Sequence, residues 1–371
     1  MTSLPPTPRR VSAGDLKAFC VAAMRKAGMR ADDAETTAEV LVTTDTWGVH
    51  THGTKQLRFL MRNYRDGHMD LHARAELVSD GPGWARFDGH HSMPMPTSVL
   101  AMQTAVNKAG QVGMAVSTVR DSGHYGAAGY YAHLAARRDM IGLSFTNVDP
   151  GVAVPGSRGS VLGTNPIAYA VPAGDEPPVM LDIATSVVAA SKIYQLRDQG
   201  RTLPEGWALD GEGLPTTDPH GYPHVGTLLP MAGHKGYGLA LLVEILTGVL
   251  GGGDFGRTVR GWITGQPPVN QSHAFIAINV GAFEPIAEFK RRMDELIRQV
   301  RDAPKAKGAD RIYLPGEKEW EYRKRSLTEG IPLPQDVLAS LRGLAEDVGM
   351  KVEWLGESVL CTERNRKGTT R

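Results

Sequence analysis

LALLVEILTGVLGGGDFG, residues 239–256, is the stretch whose reading decides the fold. Gly251, Gly253 and Gly256 reproduce the Gly-x-Gly-x-x-Gly spacing of a dinucleotide fingerprint. That motif works between a strand and a helix, where glycines allow a tight turn and the helix N-terminus receives a pyrophosphate. Here the glycines follow an apolar run with helical period (Leu239, Leu242, Val243, Leu246) and precede a segment with none. A Rossmann domain is therefore not expected. The run is interrupted by Glu244 and is too short to span a bilayer, so it reads as a buried helix over Gly238–Leu250.

Upstream of that helix, β-branched or alternating runs bounded by Gly and Pro predict strands at Gly113–Val119, Ile141–Val148, Pro166–Val171 and Val179–Ile183, and downstream at Ala274–Val280. Helical period predicts Ser98–Lys108 and Ala127–Ala136 between them. The N-terminal part reads as helical. Ser12 with Asp15 resembles a capping box for a helix over Asp15–Ala27, Asp32 or Asp33 can cap a second helix to Thr46, and a third runs over Thr54–Arg65. Helical period returns at Phe289, Met293, Leu296 and Ile297; Pro315–Gly316 marks a loop, and a last helix covers Gln335–Val348. The class is α/β or mixed α+β, and 371 residues suggest two or three structural units.

Forty-one basic residues nearly cancel forty acidic ones, which argues against a nucleic-acid partner and for a small one. The two cysteines, Cys20 and Cys361, give no disulfide framework, and no Cys/His cluster has zinc spacing, so no metal is expected. Met1 to Arg10 has no apolar core, which reads as a frayed tail and not a signal peptide. Cytoplasmic residence and no membrane role follow.

Several motifs carry chemistry. Residues 45–53, DTWGVHTHG, put His50, Thr51 and His52 where one helix ends and the next begins; a surface turn with solvated histidines is the plain alternative. Residues 121–129, DSGHYGAAG, put His124 after a strand and before a small-residue helix start, where glycines allow a ligand close approach. Gly163-Thr164-Asn165-Pro166 and Leu181-Asp182-Ile183-Ala184-Thr185-Ser186 place hydroxyls and an acid at strand ends, with Thr185 or Ser186 available to cap the helix containing Ile193. Lys235, in GHKGYG, sits at the positive end of a helix, a place that suits an ammonium only beside an anion such as phosphate or carboxylate.

In order along the chain, Gly163-Thr164-Asn165-Pro166, Leu203 to Ala208 (LPEGWA), Pro215 to Pro219 (PTTDP), His234 to Leu239 (HKGYGL) and Leu314 to Glu317 (LPGE) resemble the signatures of the type-2 malate/L-lactate dehydrogenases. The resemblance covers about Ser12 to Glu346. It implies the non-Rossmann, L-sulfolactate dehydrogenase-like fold: a helical lobe from both termini (1–85 with 305–371) and a central cofactor domain with a mixed or antiparallel sheet (86–304). It implies a homodimer that uses NAD or NADP. No compact arginine cluster stands near the implied adenosine contacts, which favours NAD.

By position, His124 matches the family's histidine acid/base, Thr51-His52 its Ser-His pair, and Asp182 the acid that completes the site. Cofactor contacts would fall on Val148, Asp182, Ile183, Ala184, Lys235, Gly236, Gly316, Glu317 and Lys318. Thr51 stands where the family usually has serine, and Gln56 where many members have an arginine, so Lys55, Gln56 and Arg58 are the candidate substrate-binding residues. The implied reaction interconverts a small 2-hydroxy acid and its 2-oxo acid by hydride transfer, either His124 or His52 handling the proton. The alternatives are a catalytically silent NAD(P)-binding relative and a reductase of a cyclic imino acid.

Overall fold

The computed structural model describes residues 9–261 and 268–355; Cys361 and most of the expected N-terminal tail lie outside them. A seven-stranded sheet forms the centre. Its strands are β1 (Glu76–Gly81), β2 (Trp84–Asp88), β3 (Met114–Ser122), β4 (Met140–Thr146), β5 (Ile167–Val171), β6 (Val179–Ile183) and β7 (Gln271–Asn279). The spatial order is β1-β2-β3-β7-β4-β5-β6, and every pairing is antiparallel except β2 with β3. The fold is thus mixed α/β and not Rossmann. β7 lies in the middle, with His273 opposite Val119 on β3 and Thr146 on β4. Alanine, phenylalanine and isoleucine alternate along it (Ala274–Ile278), giving two faces to cover.

Helix α4 (Pro94–Val112) packs on β3 and β7, and α5 (Ala128–Ala136) on β4 and β5. Helices α1 (Ala13–Lys26) and α2 (Ala31–Thr46) pack on each other, with Leu16, Phe19, Cys20, Ala23 and Met24 of α1 facing inward at helical spacing. Each large apolar side chain so buried stabilises by about 1.5–3 kcal/mol. The strand Arg9–Val11 pairs with Ile331–Leu333, which joins the two ends of the described chain. A smaller five-stranded sheet holds Val152–Ala153, Ser160–Leu162, Ala208–Leu209, Pro215–Thr216 and Thr227–Leu228. Among the described residues no helix is long and apolar enough to cross a membrane.

Several sequence expectations are corrected. The helix expected over Gly238–Leu250 is α7 (His234–Glu244), followed by a π turn over Ile245–Val249, where α6 is Ala190–Asp198. It is not a buried apolar helix: Leu239, Leu241, Leu242, Ile245, Val249 and Leu250 are all exposed, while Gly236, Ala240, Val243 and Glu244 face inward. The reason is Glu244, whose carboxylate accepts from Asn165 Nδ2 and from the Gly256 N–H, both at 2.6 Å, and so turns its own face to the interior. That also answers the fingerprint: the amide of Gly256 is spent on Glu244 and that of Gly253 on the Gly248 carbonyl.

Asp32 and Asp33 lie in the first turn of α2, whose cap is Arg30. Thr185 and Ser186 do not cap α6; their hydroxyls donate to the Thr164 and Val188 carbonyls, and the cap is Ala189. The third helix opens with a 3-10 turn at Thr54–Gln56 before α3 (Leu57–Arg65). α4 exceeds Ser98–Lys108 because Pro94 is compatible with a first helical turn. The β1–β2 hairpin, α8 (Ile286–Arg301) in its full length and α9 (Glu317–Glu329) extend beyond the sequence reading; α10 (Gln335–Asp347) matches it.

Candidate active site

The chain from α2 to α3 is built around Asp45, a fully buried carboxylate in the last turn of α2. It accepts from the Thr54 N–H (2.9 Å) and hydroxyl (2.6 Å), and its other oxygen meets His50 Nδ1 at 2.7 Å. The far nitrogen of His50 meets the Tyr322 hydroxyl of α9 at 3.0 Å. A Cβ at Gly53 would collide with the Asp45 carboxylate, so only glycine lets the loop close this tightly. His50 is therefore structural. His52, held by the same loop, is turned the other way.

His52 and His124 stack, with ring centroids 5.4 Å apart and planes 29° from parallel. Thr51 Oγ1 and His52 Nδ1 share a hydrogen bond of 2.9 Å. His124 follows β3 in the loop before α5, and the Gly126 N–H points at its Nδ1. Burial pushes His52 down to about 4. Burial, and then His52 alongside, push His124 down to about 3. Both rings are thus neutral near pH 7, the form whose free ring nitrogen is open to a proton.

Asp182, near the end of β6, accepts from the Gly129 N–H in the first turn of α5 at 2.7 Å. Its side chain is exposed at the site; desolvation by the surrounding protein pushes the carboxyl up to about 6, against the pull of the Gly129 amide. A Cβ at Gly129 would press on Asp182 at 3.2 Å.

Four segments carrying the expected cofactor contacts converge along β6 and its continuation. Gly316, left-handed at φ 86° and capping α9, lies against Met180 of β6. Ile183 and Ala184 follow, and Thr185 and Ser186 are bonded to Pro230 and Met231, just before Lys235 and Gly236 open α7. Asn165 ties the group together: its side chain accepts from the Val148 N–H (3.0 Å) and donates to the Ala240 carbonyl (3.1 Å). Lys235 is exposed and has no ion-pair partner among the described residues.

The other candidates are engaged elsewhere. Glu317 accepts from the Leu314 N–H and is paired with Arg311 and Arg301, and Lys318 Nζ sits over the Tyr313 ring at 4.6 Å. Lys55 pairs with Asp336 (2.7 Å), and Arg58 grips Asp347 through two nitrogens (2.8 and 3.1 Å), so both turn to α10 and not to the histidines. Gln56 is buried and donates to the Thr51 carbonyl at 2.6 Å, which sets the loop under His52.

Sequence reasoning missed His273. It is fully buried on β7, lies flat on Tyr125 (4.4 Å, 5°) next to His124, and burial pushes it down to about 3. The only sequence signal was its place one residue ahead of an expected strand. Among the described residues no cluster of His, Cys, Asp or Glu could hold a metal ion.

Residues 11–342 match the family model of malate/L-lactate dehydrogenase. The chain is 38% identical to the malate dehydrogenase of Pyrococcus abyssi (strain GE5 / Orsay), over 92% of this chain and 96% of that one. It is 32% identical to the ureidoglycolate dehydrogenase (NAD(+)) of Escherichia coli (strain K12), over 84% and 89%. The solved malate dehydrogenase of Pyrococcus horikoshii OT3 superposes with a TM-score of 0.85 at 35% identity, covering 95% of this chain and 99% of the other.

Proposed function

The chain belongs to the malate/L-lactate dehydrogenase family, oxidoreductases of hydroxy acids that act at a CH–OH group, and on that premise we propose that it interconverts a small 2-hydroxy acid and its 2-oxo acid with a nicotinamide cofactor. The observation that carries this reading is the stacked pair His52–His124 beside the convergence of segments along β6. A nicotinamide dinucleotide fits the residues present. Lys235 is a cation at a helix start with no ion-pair partner among the described residues, and no Cβ at Gly238 would meet anything within 4 Å, so the opening of α7 can take a phosphate. Val148, Asp182 to Ala184 and Gly316 with the backbone of Glu317 and Lys318 would hold the remainder. When bound, the cofactor supplies or accepts the hydride.

The chain's own residues handle the proton. Neutral His124 is poised to take it from the substrate hydroxyl during oxidation, with His52 fixed beside it by Thr51. A substrate carboxylate next to the two rings raises their affinity for a proton, which allows the reverse step. Desolvation makes the Asp182 carboxyl easier to protonate than a free one, which reduces repulsion of an anionic ligand. NAD is the cofactor we favour, a homodimer the assembly, and the reducing cytoplasm the setting, where buried Cys20 remains a free thiol.

The test is incubation with NADH or NADPH and a panel of 2-oxo acids and one cyclic imino acid, followed by absorbance. Turnover of a 2-oxo acid supports the reading, and turnover of the imine alone replaces it. Binding of NADH without turnover of any of them marks a silent relative. Lys235→Ala should weaken cofactor binding about tenfold, read by nucleotide fluorescence; unchanged affinity takes Lys235 out of the site.

A further inference from the structure

β7 puts one imidazole where packing alone has no need of it. His273 is fully buried, and Tyr125 is held between it and Tyr131: the His273 and Tyr125 rings lie 4.4 Å apart and 5° from parallel, those of Tyr125 and Tyr131 4.7 Å and 18°. The Tyr125 hydroxyl meets Ser144 Oγ at 3.0 Å, and its carbonyl accepts from the Tyr131 hydroxyl at 2.6 Å. Tyr125 is thus fixed at both faces, at its tip and at its backbone, and His124 is the residue before it. A phenylalanine would fill the same space and make the same stack.

The nitrogens distinguish histidine from phenylalanine. His273 Nδ1 lies 2.8 Å from Thr146 Oγ1, its cross-strand neighbour on β4. That hydroxyl also reaches the Asn147 (3.0 Å) and Ser272 (3.2 Å) carbonyls, so Thr146 is itself fixed from both strands. Nε2 is buried with no well-aligned partner among the described residues, and the Gly123 backbone, just ahead of His124, lies against the ring in the sense of a carbonyl that accepts from it. A buried polar atom left unsatisfied is costly and calls for a reason.

We propose that His273 is a positioning residue for His124: Thr146 locks the ring, the ring clamps Tyr125, and the second ring nitrogen is turned to the Gly123 backbone so that the loop keeps one conformation. The inference rests on the proposed dehydrogenase reading for its kinetic consequence and on geometry alone for its spectroscopic one. Among the described residues, His52 from the α2–α3 loop and His273 from β7 act on His124, while the Asp182 charge is felt at Tyr125.

The experiment uses the full chain with His273→Phe, which keeps the stack, and Thr146→Val, which frees the ring without touching it. Steady-state kinetics with NADH and the best 2-oxo acid should show kcat down 10-fold or more in His273→Phe, with KM within about 3-fold and cofactor affinity unchanged. Thr146→Val should lie between it and wild type. Imidazole NMR, with the His124 resonance identified by its loss in His124→Asn, should show one sharp His124 signal in wild type and a broadened or doubled one in both variants. Wild-type kcat with a single sharp His124 signal in His273→Phe overturns the proposal, and if that variant does not fold, the same result in Thr146→Val overturns it. A wild-type protein that turns over nothing rejects the dehydrogenase reading instead, and the NMR comparison still decides the role of His273.

Discussion

At the residue scale, the site depends on histidines kept neutral by burial. His124→Ala should lower turnover by roughly 100-fold or more with cofactor binding retained, and His52→Ala by a comparable factor, because each removes an imidazole from a stacked pair built to handle one proton. Wild-type kcat in either variant takes that ring out of the chemistry. Burial has a second consequence, for stability. His52, His124 and His273 have folded values near 4, 3 and 3, below the usual 6.5, so between those limits the unfolded chain binds protons that the folded one refuses. Their contribution is fully present above about pH 6.5 and is lost as pH falls toward 3. Urea midpoints should drop steadily from pH 7 to pH 4, and the drop should be smaller in His273→Phe; an equal drop in the two proteins refutes the assignment of that slope to His273.

At the scale of elements, the loop between α2 and α3 is held by one carboxylate. Asp45→Ala leaves the Thr54 N–H and hydroxyl without their acceptor inside the protein and should cost about 3 kcal/mol, read as a lower urea midpoint with a separate loss of kcat as His52 shifts. Asp45→Asn should cost less, since an amide oxygen can still accept. The sequence made much of this region legible: DTWGVHTHG marked the helix break and placed two histidines in it, and the DSGHYG turn after β3 located His124. It did not show that His50 faces Asp45 while His52 faces His124, because alternate residues of a turn diverge according to contacts from α5 and α9, far away in sequence. His273 was illegible for the same reason. Within its strand it is one more buried position, and only the β4–β7–β3 register brings it beside Tyr125. Lys55 and Arg58 looked available as cations until α10 supplied Asp336 and Asp347.

At the scale of the molecule, the run that excluded a Rossmann domain leaves an apolar face that the other described residues do not cover. Period alone placed Leu239 and Leu242 inside; Glu244, drawn in by Asn165 and Gly256, reversed the helix and set Leu239, Leu241 and Leu242 outward, continued by Ile245 and Val249 of the π turn and by Leu250 after it. Each of these side chains is 39–56% exposed, and so many neighbouring ones on a single helix exceed the scatter of apolar residues on an ordinary surface. In the homodimer we propose, a second copy would cover this face, and because α7 also opens with Lys235, pairing would brace the helix start that we assign to the cofactor. Leu242→Glu together with Ile245→Glu puts two charges into that contact without touching an inward residue. Sedimentation at micromolar concentration should find wild type as a dimer and the double variant as a folded monomer with weaker NADH binding. If the double variant sediments as wild type does, the dimer is built on another face; if it is monomeric and binds NADH normally, the contact holds the subunits together but does not support the cofactor site.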